Sequence, residues 1–94
     1  MSKLSEIKKK KISEHVLSIL YDKFPEPLFI SQVALEVARD EEFIKLLLEN
    51  LKNKNLVVKI SKNSKGIDYL KRTRWRMSNK AHEIYSKNQS ITEL

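Results

Sequence analysis

No cysteine occurs in the 94 residues, so neither a disulfide framework nor a thiolate metal site can be built. The two histidines, His15 and His82, stand far apart in the chain, and no metal site is expected from them. Glycine occurs once, at Gly66, which leaves no glycine-rich loop to cradle a phosphate. There is no nucleophile with a base and a carboxylate spaced to activate it. An enzyme is therefore not expected, and no cofactor is implied. No apolar run approaches the roughly 20 residues of a membrane helix. The opening stretch MSKLSEIKKKKISEHV also lacks the apolar centre of a signal peptide. The reading is a soluble cytoplasmic protein with no membrane partner.

What the chain does have is positive charge, unevenly placed. The formal net charge is +7, which by itself makes polyanions plausible partners. From Lys59 to Arg76 seven bases (Lys59, Lys62, Lys65, Lys71, Arg72, Arg74, Arg76) face one acid, Asp68. From Glu36 to Lys54 five acids accompany four bases. The positive field is local, and it belongs to the later segment.

The length suits one domain with a modest core, since a chain of this size buries only about 60–65 % of its unfolded surface. Residues 1–11 form a basic amino-terminal segment, which either extends the first helix or leads into it as an arm. A single domain is expected over 12–90 and a frayed tail over 91–94. Ile12, Val16, Ile19, Leu20 and Phe24 recur at helical spacing. Pro25 and Pro27 stop that helix by withholding amide donors and restricting the residues before them. LFI is a short extended piece. Ser31 is placed to cap a second, brief helix carrying Val33, Ala34 and Val37, and Asp40 to cap a third, whose apolar face is Ile44, Leu47, Leu48 and Leu51. Two helices joined by a tight turn make a helix-turn-helix. LVVKIS reads as a strand, KNSKGID as a hairpin tip and LKRTRWRM as the returning strand, with Ser78 capping a last helix. Alternation puts Thr73, Trp75 and Met77 on one face of the return strand and Arg72, Arg74 and Arg76 on the other.

The fold class expected is α+β, mainly helical: a winged helix-turn-helix with a three-helix core, a β-hairpin wing and a C-terminal helix. Two stretches resemble the MarR-like and PadR-like transcriptional regulators. ISQVALEVARDEEFIKLLLENLKNKNLVVKI looks like their helix-turn-helix running into the first wing strand, with Val33 and Ala34 at turn-facing positions. WRMSNKAHEIY looks like their strand-into-helix signature: an aromatic, a base, an apolar residue, a serine and a lysine two later. Together the two span residues 30–85. Asn55 stands where that family usually has glycine, a replacement that asparagine's tolerance of left-handed backbone angles allows. Ala81 stands where glycine is common in the last helix.

The function implied is that of a small DNA-binding transcriptional regulator on double-stranded DNA. With its apolar face turned inward, the third helix offers Glu42, Lys45, Leu46, Glu49 and Asn53, a poor set for reading bases because glutamates repel phosphates and the usual arginine and glutamine readers are missing. The grip is therefore assigned mainly to the wing, through Lys62, Lys65, Arg72, Arg74 and Arg76. Ser31, Gln32, Arg39 and Lys45 supply the helix-turn-helix contacts, the first two at the amide end of the second helix. A run of charge is ordinarily a solvated face, but the contrast between wing and third helix exceeds what solubility requires. Trp75 is expected in the core, and His15 and His82 on helix surfaces. A homodimer is expected, through the last helix with Ile84 and Tyr85 at the contact and Ile91 and Leu94 as further candidates, or through the amino-terminal helix. The alternative is a winged-helix protein-interaction module of a transcription or replication assembly, with Leu46 and the acidic third helix as its contact surface.

Overall fold

Helical periodicity at the amino terminus begins earlier than the apolar pattern. In the computed structural model, which describes residues 6–61 and 73–92, α1 spans Glu6–Lys23. The lysine run is thus part of the helix, as suits a residue with good helix propensity. Residues 6–11 are all exposed, and burial starts further on with Val16, Leu17 and Leu20. After Phe24 the prolines turn the chain into β1 (Leu28–Phe29), which leads directly into α2 (Ile30–Val37). The cap of α2 is Phe29, not Ser31 as the sequence suggested. Pairing of β1 holds Phe29 in an extended conformation up to the first helical residue, so Ser31 falls inside the first turn. The Phe29 N–H is satisfied from the other direction, donating to Gln32 Oε1 at 2.8 Å.

Both ends of the helix-turn-helix show how a chain with one glycine closes its helices. The turn after α2 puts Ala38 at φ 57°, with the Arg39 N–H donating to Ala34 O at 3.0 Å and the Ala38 N–H to Leu35 O at 3.3 Å. After α3 (Glu41–Asn53), Asn55 stands at φ 64° with the same pair of bonds, Leu56 N–H to Leu51 O at 3.0 Å and Asn55 N–H to Lys52 O at 2.9 Å. This is the Schellman closure, which usually places glycine at the left-handed residue. Asparagine tolerates that region, as expected for Asn55, whereas alanine at position 38 meets its Cβ penalty. Asp40 caps α3 as anticipated, its Oδ2 accepting from the Glu42 and Phe43 amides at 3.0 and 3.3 Å.

β2 (Val57–Ile60) and β3 (Arg74–Met77) pair antiparallel, with Val57 opposite Met77 and Ile60 opposite Arg74. The hairpin tip expected at KNSKGID lies outside the described residues. The sheet has one strand more than a simple wing: β1 pairs on the other side of β3, Leu28 opposite Trp75 and Phe29 opposite Arg74, giving the order β1-β3-β2. β3 is therefore the central strand. Its inward residues Trp75 and Met77 are buried together with Leu28 and Val57. They close the core over Val16 and Leu20 of α1, Val33 of α2 and the Ile44, Leu47, Leu48, Leu51 face of α3. Burying the Trp75 ring, which is 1 % exposed, is worth roughly 4–6 kcal/mol before conformational entropy is subtracted.

α4 (Asn79–Thr92) starts at a joint that ties three segments. Ser78 Oγ accepts from the Ala81 N–H at 3.1 Å, the cap read from the sequence. The same hydroxyl donates to Asn55 O at 3.0 Å, and the Ser78 N–H donates to Leu56 O at 3.0 Å. The end of α3, the end of β3 and the start of α4 are held by one buried serine.

Candidate nucleic-acid interface

The outer face of the sheet follows from strand register. Because residues directly opposite on neighbouring strands share a face, Phe29, Arg74 and Ile60 lie side by side, and Val58 lies beside Arg76. Of the three arginines that alternation puts on this face, Arg74 and Arg76 are among the described residues, and both stand against aromatic rings. The Arg74 guanidinium carbon stands 4.9 Å from the Phe29 ring centroid, and that of Arg76 stands 5.7 Å from the Phe24 centroid. Arg76 Nη1 also donates to Met77 O at 2.8 Å and to Asn79 Oδ1 at 3.2 Å, bracing the passage from β3 into α4. Both arginines are half-buried. Cation–π contact restrains both guanidinium groups, and two hydrogen bonds tie Arg76 to the end of β3 and the start of α4. The remaining wing residues assigned from the sequence, Lys62, Lys65 and Arg72, lie outside the described residues.

The helix-turn-helix residues fall into two places. Ser31 and Arg39 meet at a shallow hollow in the turn, with Ala34, Leu35, Ala38 and Glu41. Gln32 is exposed on the same first turn, its carbonyl oxygen engaged by the Phe29 amide. Lys45 is exposed on α3. One turn later Glu49 is not a free acid: its carboxylate lies 3.9 Å from Lys52 Nζ and 3.5 Å from Lys59 Nζ on β2. The Glu49 carboxylate is therefore shared by Lys52 and Lys59, with Lys45 one helical turn before it on α3. Sequence reasoning missed this cluster, since it counted Lys59 with the wing and Glu49 with the helix.

Leu46, 65 % exposed, turns to the other side of α3. There a cleft of about 750 Å³ opens between α1 and α3, floored by Leu17, Phe43, Leu47, Leu51, Leu56 and Tyr85 and rimmed by Lys9, Lys10, Glu14 and Lys54. Of the two residues assigned to a dimer contact, Ile84 is 45 % exposed, while Tyr85 packs against the core and lines this cleft. His82 departs from the expectation of a plain surface histidine. It stacks on Phe24 at 3.9 Å and 13° and on Tyr21 at 4.8 Å and 24°, and Tyr21 Oη is 3.1 Å from Ser86 Oγ. These contacts fasten α4 to the end of α1. His15 is exposed, as expected. Among the described residues no group of three or more histidine, aspartate or glutamate side chains is placed to hold a metal ion, and no helix is long and apolar enough to cross a membrane.

No protein-family model matches the chain, and no curated protein matches it in sequence. Solved structures do resemble it. A Staphylococcus aureus MepR–DNA complex superposes with a TM-score of 0.72 at 20 % identity, over 87 % of this chain and 63 % of that one. MepR described as a transcription regulator of the S. aureus multidrug efflux pump MepA gives 0.68 at 21 % identity, over 87 % and 56 %. A double mutant of Lactococcus lactis ZitR in its apo form gives 0.68 at 14 % identity, over 92 % and 60 %. MepR and ZitR are MarR-family winged-helix regulators, so the likeness falls where the sequence resemblance pointed. At these identities it establishes the winged-helix fold, and the chain spans under two-thirds of the length of the solved chains it matches.

Proposed function

We propose that this winged helix is the DNA-binding unit of a small transcription regulator acting on duplex DNA in the cytoplasm, as a binding protein and not an enzyme. The observation that carries this reading is the position of the basic excess. Seven bases against one acid occupy residues 59–76, a segment that begins in β2 and ends in β3 and that the sequence reads as the wing. The likeness to a MepR–DNA complex supports it. Lys62, Lys65, Arg72 and Arg74 are assigned to phosphate or minor-groove contact. Ser31 and Gln32 at the start of α2, with Arg39 and Lys45, are assigned to the backbone beside the major groove. Arg76 is assigned to holding β3 and α4 in register. Pairing of two copies through Ile84 and Tyr85 would give two half-site contacts.

The alternative, a protein-interaction module, is favoured by one observation: the apolar cleft beside α3 with Leu46 exposed at its edge. Retention on a duplex of random sequence separates the two. The DNA reading expects binding at about 50 mM salt that weakens steeply toward about 200 mM, because each phosphate neutralised releases counterions. Absence of retention at both salts would leave the interaction module as the function.

A further inference from the structure

Glu49 stands one helical turn after Lys45 on α3, where a free carboxylate would oppose a phosphate. Its surroundings answer that objection. Lys59 reaches from β2, at the edge of the sheet, and its ammonium lies 3.5 Å from Glu49 Oε2 and 5.6 Å from the centroid of the buried Trp75 ring. The two side chains are 37 % and 34 % exposed, so bulk solvent screens the pair only in part. An ammonium held at once by a carboxylate and a ring face has little freedom to swing out toward a phosphate. Lys52, 3.9 Å from the other carboxylate oxygen and 46 % exposed, is the looser partner.

We infer that Lys59 is a positioning residue for DNA approach: it neutralises Glu49 and pins it to the sheet, so that Lys45 and Lys52 meet the phosphate backbone without Glu49 opposing them. Lys59 does not contact a phosphate itself. This rests on the duplex-DNA reading of the chain and deepens it, since it explains how the second half of α3 can face a phosphate despite Glu49. It also adds a charge pair between β2 and α3 to the core packing that already holds them together.

A double-mutant cycle tests it. Lys59→Met keeps an aliphatic stem against Trp75 and removes the charge, and Glu49→Gln keeps the shape of the acid. Affinity for a random-sequence duplex is measured by fluorescence anisotropy between about 50 and 200 mM salt for the wild type, both single variants and the double variant, with unfolding midpoints determined in parallel. Lys59→Met should bind about three- to tenfold more weakly at the low-salt end, the effect of one uncompensated charge near phosphates. Adding Glu49→Gln should restore affinity to within about twofold of wild type, with an unchanged salt slope. Lys59→Arg, which keeps the charge, should bind like wild type, and this arm stands even where the methionine variant proves poorly folded. Should Lys59→Met lower the salt slope by about 0.9 with no rescue by Glu49→Gln, Lys59 is itself a phosphate contact and the inference fails. Four proteins that bind alike would place Glu49 away from the DNA, and the inference would fail in that case too. A wild type that does not bind duplex at all overturns the function reading and this inference with it, whereas loss of coupling in a protein that binds overturns this inference alone.

Discussion

Replacing Ser78 by alanine removes the two side-chain hydrogen bonds of the joint and leaves its backbone bond to Leu56 O. The Oγ caps α4 through the Ala81 amide at 3.1 Å, and loss of a serine cap costs about 0.5–2 kcal/mol. The same oxygen donates to Asn55 O at 3.0 Å, a bond worth about 0.5–1.5 kcal/mol net. Ser78 is 9 % exposed, so water enters poorly to replace it, and the two contributions together come to about 2 kcal/mol. For a domain of this length each kcal/mol moves the thermal midpoint by roughly 4–8 °C, so Ser78→Ala should melt about 8–16 °C lower. Urea unfolding followed by circular dichroism gives the same quantity from the midpoint shift at constant slope. Two companions calibrate it. Asp40→Ala removes an exposed cap with two amide bonds and should cost about 1 kcal/mol. Ser31→Ala should stay within about 0.5 kcal/mol, since Phe29 and not Ser31 occupies the cap position of α2. If Ser78→Ala were no worse than Ser31→Ala, the three-way joint would carry no energy, and the account of how α4 is anchored would be wrong.

Two further outcomes follow from the same geometry. Ala38→Gly should raise stability by about 0.5–1 kcal/mol, because the residue sits at φ 57° where alanine pays for its Cβ and glycine does not; a lower midpoint would mean that the alanine methyl group packs usefully. Arg76→Met should cost about 1–2 kcal/mol, its two hydrogen bonds being discounted for partial exposure, and leave the salt slope of DNA binding unchanged. Arg74→Ala should instead lower that slope by about 0.9, and the opposite pattern would exchange the roles of the two arginines.

Much of the architecture was present in one-dimensional signals. The α3 face Ile44, Leu47, Leu48, Leu51 repeats at the helical period, and all four are buried. Asp40 and Ser78 precede helices and cap them, and Asn55 takes the left-handed angle for which its residue type is suited. The alternation of RTRWRM put Trp75 and Met77 inward, and both are buried. These are local rules, set by side-chain period and backbone sterics within a few residues. Packing settled what lies opposite what. A two-residue strand such as Leu28–Phe29 carries no period, and only its register against β3 places Phe29 beside Arg74 and shifts the cap of α2 away from Ser31. The same holds for His82 against Phe24 and for Lys59 against Glu49 and Trp75, pairs that come together only when separate elements pack. Period and caps were enough to specify a winged helix. Which of the positive charges are held by aromatic rings, which brace the fold, and which one cancels the acid on α3 emerged only from the assembled domain, because cross-element distances are properties of the packed core and not of any segment within it.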